Sequence, residues 1–138
     1  MPHVDLNYAA ILVAAIAPML LGMVWYSPAL FGKTWVKLLG KNEQEMKKMG
    51  KQATNGYILT FVSALIMSYV LAHFVDYTMS TTAIQGVETG FWLWLGFVAT
   101  TGMINFVWQN KHRNLYVIDN GYHLVSLMVM GAILAMWV

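Results

Sequence analysis

Four mostly apolar runs, roughly Leu6 to Tyr26, Tyr57 to Tyr77, Thr89 to Trp108 and Asn120 to Val138, fill most of this 138-residue chain. Each reaches the roughly 20 residues that a helix needs to cross the hydrocarbon of a bilayer. Hydrocarbon offers no water to bond a stray N–H or C=O, so a segment of this kind must satisfy its backbone internally, as a helix does. With 59% hydrophobic and 10% charged residues, a water-soluble fold would expose more apolar surface than water tolerates. The expected fold is all-α, a four-transmembrane-helix bundle in one integral membrane domain spanning 1–138. The stretches between the runs are too short for a separate soluble domain.

Charge gives the bundle an orientation. All eight Lys and Arg residues fall in Lys33 to Lys51 and Lys111 to Arg113, the first and third loops, together with Glu43, Glu45 and Asp119. The opposite ends of the runs carry Asp5, Asp76 and Glu88 and no Lys or Arg. Basic loops stay in the cytoplasm, so both termini are expected outside. Met1 to Tyr8 lacks a basic leader, and the first run ends in Trp25 and Tyr26 rather than in a small-residue cleavage site, so the first span is expected to remain in the mature protein. A basic patch also suits a nucleic-acid binder, but the apolar runs argue for no nucleic-acid partner. The absence of cysteine removes disulfides, thiolate metal sites and a Cys nucleophile.

The first run places Ala10, Ala14, Pro18 and Gly22 at helical spacing, a face of small residues that lets another helix come close. Pro18 removes a backbone donor and predicts a bend. Trp25 and Tyr26 suit the headgroup level. Ser27 followed by Pro28 reads as a cap and a first-turn proline opening a short helix. Trp35, Leu38 and Leu39 then alternate with Lys33, Lys37 and Lys41, the pattern of an amphipathic interfacial helix facing anionic lipid headgroups at the inner leaflet. Asn42 and Glu45 resemble a capping box, and Gly50 reads as a stop. Met79 to Val87 reads as a short polar loop.

Two stretches carry a resemblance. Gly22 to Trp35, GMVWYSPALFGKTW, and Gly121 to Leu134, GYHLVSLMVMGAIL, are similar to a family of small four-span bacterial membrane proteins catalogued as a domain of unknown function. The similarity extends over almost the whole chain, in span number and in loop lengths. It implies an architecture and a place in a bacterial inner membrane, and no reaction, substrate or cofactor. The matching residues Gly22, Trp25, Tyr26, Pro28, Phe31, Gly32, Lys33 and Trp35 read physically as an elbow at the membrane surface.

Polar side chains inside spans are costly and therefore the first candidates for a site. Thr101, Asn105 and Gln109 recur every four residues along span three, and Asp119 lies one turn from His123 on span four, where the two can hydrogen-bond. Asn105, Gln109, Asp119 and His123, with Trp25, Tyr26, Lys33 and Trp35, form the expected binding set. The bland alternative makes Asp119 a helix-start acid complementing the dipole, with the His and Asn joining spans. His3, Asp5, His73, Asp76 and Glu88 offer zinc-type ligands, but they come from three separate segments, without the two His one turn apart of a metal motif. The eleven methionines suit Cu(I) or, more simply, apolar packing. No catalytic motif, metal site or cofactor is expected. The function expected is a small homo-oligomeric protein that binds or passes a small or amphiphilic solute. The alternatives are an accessory or scaffold subunit with a membrane-protein partner, and a lipid-active enzyme using His123 as base.

Overall fold

The computed structural model describes residues 3–110 and 112–137; Met1, Pro2, Lys111 of the third-loop basic stretch and Val138 at the expected end of span four lie outside the described residues. The described residues are all helical or loop, with no strand among them. Four helical stretches are long and apolar enough to cross a membrane: α1 (Tyr8–Trp25), α4 (Ala53–Tyr77), a third running Ala83–Gln109, and α7 (Arg113–Met136). The third is α5 (Ala83–Leu93), a wider π-helical segment (Trp94–Ala99), and α6 (Thr100–Gln109). Two short helices, α2 (Gly32–Leu39) and α3 (Glu43–Lys51), fill the first loop.

The second, third and fourth spanning helices start earlier than their apolar runs do, at Ala53, Ala83 and Arg113, and side-chain caps mark the last two starts. The expected loop Met79 to Val87 is shorter than read: Thr82 accepts from the Gln85 N–H while Gln85 reaches back to the Thr82 N–H, a capping box that opens α5. Asn42 caps α3 by accepting from the Glu45 N–H at 2.8 Å. Gly40, at φ +64, ends α2, whereas Gly50 stays inside α3. Ser27 does not cap a following helix; its hydroxyl donates to the Val24 carbonyl at 2.6 Å and so closes the end of α1.

The core combines large side chains, Leu71, Leu127, Met130 and Leu134, with small ones at close helix contacts. Ala10, Ala14, Ala15, Ala64 and Ser68 are buried, while Leu20, Leu59, Ile66 and Phe97 point outward. That distribution suits lipid, which solvates large apolar side chains as well as a protein core does and leaves close backbone packing to hold helices together. α7 is the hub and touches all three other spans. The small face of α1 is spent on this internal packing, so it does not supply the association surface it suggests in the sequence. Ser68 adds an interspan bond, donating to the Ile11 carbonyl at 2.8 Å.

The tightest crossing joins α5 to α7. A Cβ at Gly86 would sit 2.1 Å from the Gly131 carbonyl oxygen, and one at Gly90 would sit 2.3 Å from that of Leu127. Only a hydrogen in place of a side chain permits that approach. The start of α1 and the end of α7 meet at this end of the bundle, where the Asn7 amide donates to the Trp137 carbonyl at 3.2 Å; the described Lys and Arg residues all belong to the other end.

This packing predicts that Gly86→Ala and Gly131→Ala each lower unfolding stability in detergent by about 1–3 kcal/mol through overpacking. Gly96→Ala, with nothing within 4 Å of the added methyl, should be neutral or gain up to about 1 kcal/mol from helix propensity. Chemical unfolding followed by tryptophan fluorescence separates the two cases.

Candidate functional site

Below the glycine crossing, α5 and α7 part. The π-helical segment carries an extra residue in its turn and leaves carbonyls of the ladder to find other donors. Tyr116 donates its hydroxyl to the Ala99 carbonyl at 2.9 Å, Thr100 donates to Gly96 at 2.8 Å, and Thr101 donates to Phe97. The widened turn and the lower part of α7 enclose a cleft of about 380 Å³, lined by Phe97, Val98, Thr101, Gly102, Asn105, Phe106, Tyr116, Asp119, Asn120 and His123. It lies toward the end of the bundle that carries the basic loops.

Three of the expected site residues, Asn105, Asp119 and His123, therefore face one cleft. Gln109 does not join them; it is exposed beyond the lining. Lys33 is exposed on the first turn of α2 and is likewise apart. Asp119 lies well inside α7, whose first residue is Arg113 and whose N-cap is His112, so the helix-start reading of this acid is corrected: its carboxylate is not at the positive end of the dipole. The expected Asp119–His123 hydrogen bond does not form. Tyr26 takes that place, its hydroxyl donating to Asp119 Oδ1 at 2.7 Å, while the His123 ring lies beside that of Tyr122, centroids 5.2 Å apart.

Tyr26 reaches Asp119 because of the elbow after α1. Phe31 N–H donates to the Trp25 carbonyl at 3.1 Å and Gly32 N–H to that of Ser27 at 2.9 Å. A Cβ at Gly32 would lie 2.4 Å from the Tyr26 carbonyl oxygen, so the turn closes only around glycine. The folded elbow then grips α7. Trp25 Nε1 donates to the Ile118 carbonyl at 3.1 Å, and its ring lies over Gly121. Tyr26 packs edge-on to Trp35 at 5.4 Å and to Tyr122 at 5.5 Å. Tyr122 donates to the Pro18 carbonyl at 2.7 Å, beside Gly22. Tyr26 itself is one residue past the first span; burial, and then the Asp119 carboxylate, push its phenol well above the ordinary value, so it remains a neutral donor at physiological pH.

The two resembling stretches, Gly22 to Trp35 and Gly121 to Leu134, thus meet in space. The family described as proteins of unknown function, DUF1761, matches residues 9–135. The chain belongs to the DUF1761 family. No curated protein matches it, and no solved structure does.

In this DUF1761 protein Trp25 and Tyr26 are joined by further interspan donors from outside the expected set. Besides Tyr116 and Tyr122, Trp94 Nε1 donates to the Asn120 carbonyl at 2.9 Å, while within α7 the Asn120 amide donates to the Tyr116 carbonyl at 3.0 Å. Gly102 gives Asn120 its room, since a Cβ there would meet Asn120 Oδ1 at 2.5 Å. Asn120 was legible as a polar residue at the start of the fourth run, but Tyr116 precedes that run and nothing in the sequence announced the π-helical turn opposite them. At the other end, His3 and Asp5 approach to 3.7 Å in full exposure, and no three His, Asp or Glu side chains among the described residues gather as metal ligands.

Tyr26→Phe should lower unfolding stability by about 1.5–3 kcal/mol, the scale of a hydrogen bond to a charged group. Gln109→Ala, which removes no contact, should fall within about 0.5 kcal/mol of the parent. Denaturant unfolding of the two variants in the same detergent measures both.

Proposed function

We propose that this protein holds the polar part of a small or amphiphilic solute in the cleft between spans three and four, with the cleft open sideways to the inner leaflet. The observation that carries the reading is that Asn105 and His123, two polar side chains inside apolar spans, line the cleft without a hydrogen bond to any described residue. In hydrocarbon such groups are expensive unless water, a headgroup or a solute satisfies them. Structural residues make their bonds within the bundle, as Tyr26, Trp94 and Tyr122 do here; Asn105 and His123 do not. The lipid-active enzyme reading has less support, because the Asp119 carboxylate that would orient His123 as a base is engaged by Tyr26.

The setting is an integral membrane protein of a bacterial inner membrane with both termini outside, α2 and α3 resting on anionic headgroups through Lys33, Lys37, Lys41, Lys47 and Lys48. The support is that the described basic residues all belong to one end of the bundle. Copies associate along the outward face of span three, where Trp92 is exposed and Gly96 has open space beside it. A neighbouring copy there would flank the cleft.

Asn105→Leu and His123→Leu separate this reading from a structural one. Both variants should keep or slightly raise thermal stability in detergent while losing co-purified solute in native mass spectrometry of protein taken gently from its own membrane. A fall in stability with solute retained would make the two residues structural instead. For orientation, the cysteine-free chain allows single-cysteine labelling: an impermeant maleimide added to intact cells should modify Thr81→Cys and spare Lys47→Cys.

A further inference from the structure

The cleft holds one formal negative charge and no described positive one. Asp119 is its sole carboxylate, and the ion pair found among the described residues joins His3 to Asp5 at the opposite end. Tyr26 occupies Asp119 Oδ1 at 2.7 Å, and no described group donates to Oδ2. A carboxylate half withdrawn from water and left without a cation is poorly compensated, and a positive ligand corrects that more fully than a neutral one. The rest of the lining is suited to the same kind of ligand. Phe97, Phe106 and Tyr116 present ring surface to the cleft, with Phe106 and Tyr116 at 5.6 Å between centroids, and aromatic faces attract ammonium groups. Asn105 and His123 add uncommitted polar atoms to the lining. Phe97, 69% exposed, carries the lip of the cleft onto the lipid-facing surface, where a hydrocarbon tail can lie.

Resting on the cleft reading above, we propose that the solute is a cationic amphiphile: an ammonium head held between Asp119 and the Phe106 and Tyr116 rings, with its tail leaving past Phe97 into the inner leaflet. An anionic head would meet the Asp119 charge at close range and is excluded for that reason.

The test titrates the full-length protein, in a neutral maltoside detergent, with decyltrimethylammonium, decyl glucoside and decyl sulfate, which share one tail and differ in the charge of the head. Binding is read by native mass spectrometry. The expected result is preference for the trimethylammonium compound, weakened roughly 10- to 100-fold by Asp119→Asn, the equivalent of a lost charge-assisted contact. Asparagine keeps an oxygen for the Tyr26 hydroxyl, so the elbow contact has an acceptor in the variant. Should that variant fail to fold, Phe106→Leu decides: a loss of about 3- to 30-fold for the cationic probe alone supports the proposal, and an equal loss for all three overturns it. Equal binding of cationic and neutral probes, unchanged by Asp119→Asn, overturns the charge assignment and leaves the cleft reading standing. Preference for the sulfate also overturns the charge assignment. No binding of any probe overturns both.

Discussion

Gly86 and Gly90 lie so near the carbonyls of Gly131 and Leu127 that no side chain fits between α5 and α7, and this backbone contact sets where spans three and four touch and where they separate. Lipid provides no hydrophobic drive to press helices together, so close packing and interhelical bonds hold the bundle. Beyond that crossing, the cleft lies between α7 and the stretch of span three that begins in the six-residue π-helical segment Trp94–Ala99. Its carbonyl debts are met locally by Tyr116, Thr100 and Thr101, which lets the distortion persist within an apolar span.

The elbow after α1 plays the complementary part at the other end of α7. Gly32 allows the chain to fold back on the Tyr26 and Ser27 carbonyls, and the fold-back delivers Trp25 and Tyr26 to the Ile118 carbonyl and the Asp119 carboxylate. The first loop is therefore fastened to the span that bears the cleft. Trp35 stacks edge-on against Tyr26, so α2, the Tyr26 hydroxyl and Asp119 form one connected group. Displacing α2 would disturb the carboxylate that faces the proposed ligand.

Much of the fold was legible because hydropathy and charge are properties of segments. Four spans, an elbow after Tyr26 and close neighbours at spans three and four all follow from run length, turn residues and loop length. Segment ends were less legible: the Thr82–Gln85 capping box starts α5 inside what reads as loop, and His112 starts α7 well before the apolar residues begin. Of the candidate site, Asn105, Asp119 and His123 were readable as polar residues in apolar surroundings. Gln109 shared their period and yet lies outside, since the helix ends there at Asn110 in the left-handed conformation. The one-turn spacing of Asp119 and His123 permitted a bond, but spacing along a helix says nothing of a competing donor from span one.

The sequence by itself determined the membrane as solvent, the number of spans and the end at which positive charge collects, because these depend on sums over twenty residues and survive any detail of packing. Tertiary structure alone decided that Asp119 belongs to Tyr26, that the small face of α1 is consumed inside the bundle, and that spans three and four open into a cleft. Those outcomes depend on single contacts between residues as far apart in the chain as Tyr26 and Asp119 and on a turn geometry at Trp94–Ala99 that no local pattern announces. Long-range hydrogen bonds and backbone contacts form only when the helices are already side by side.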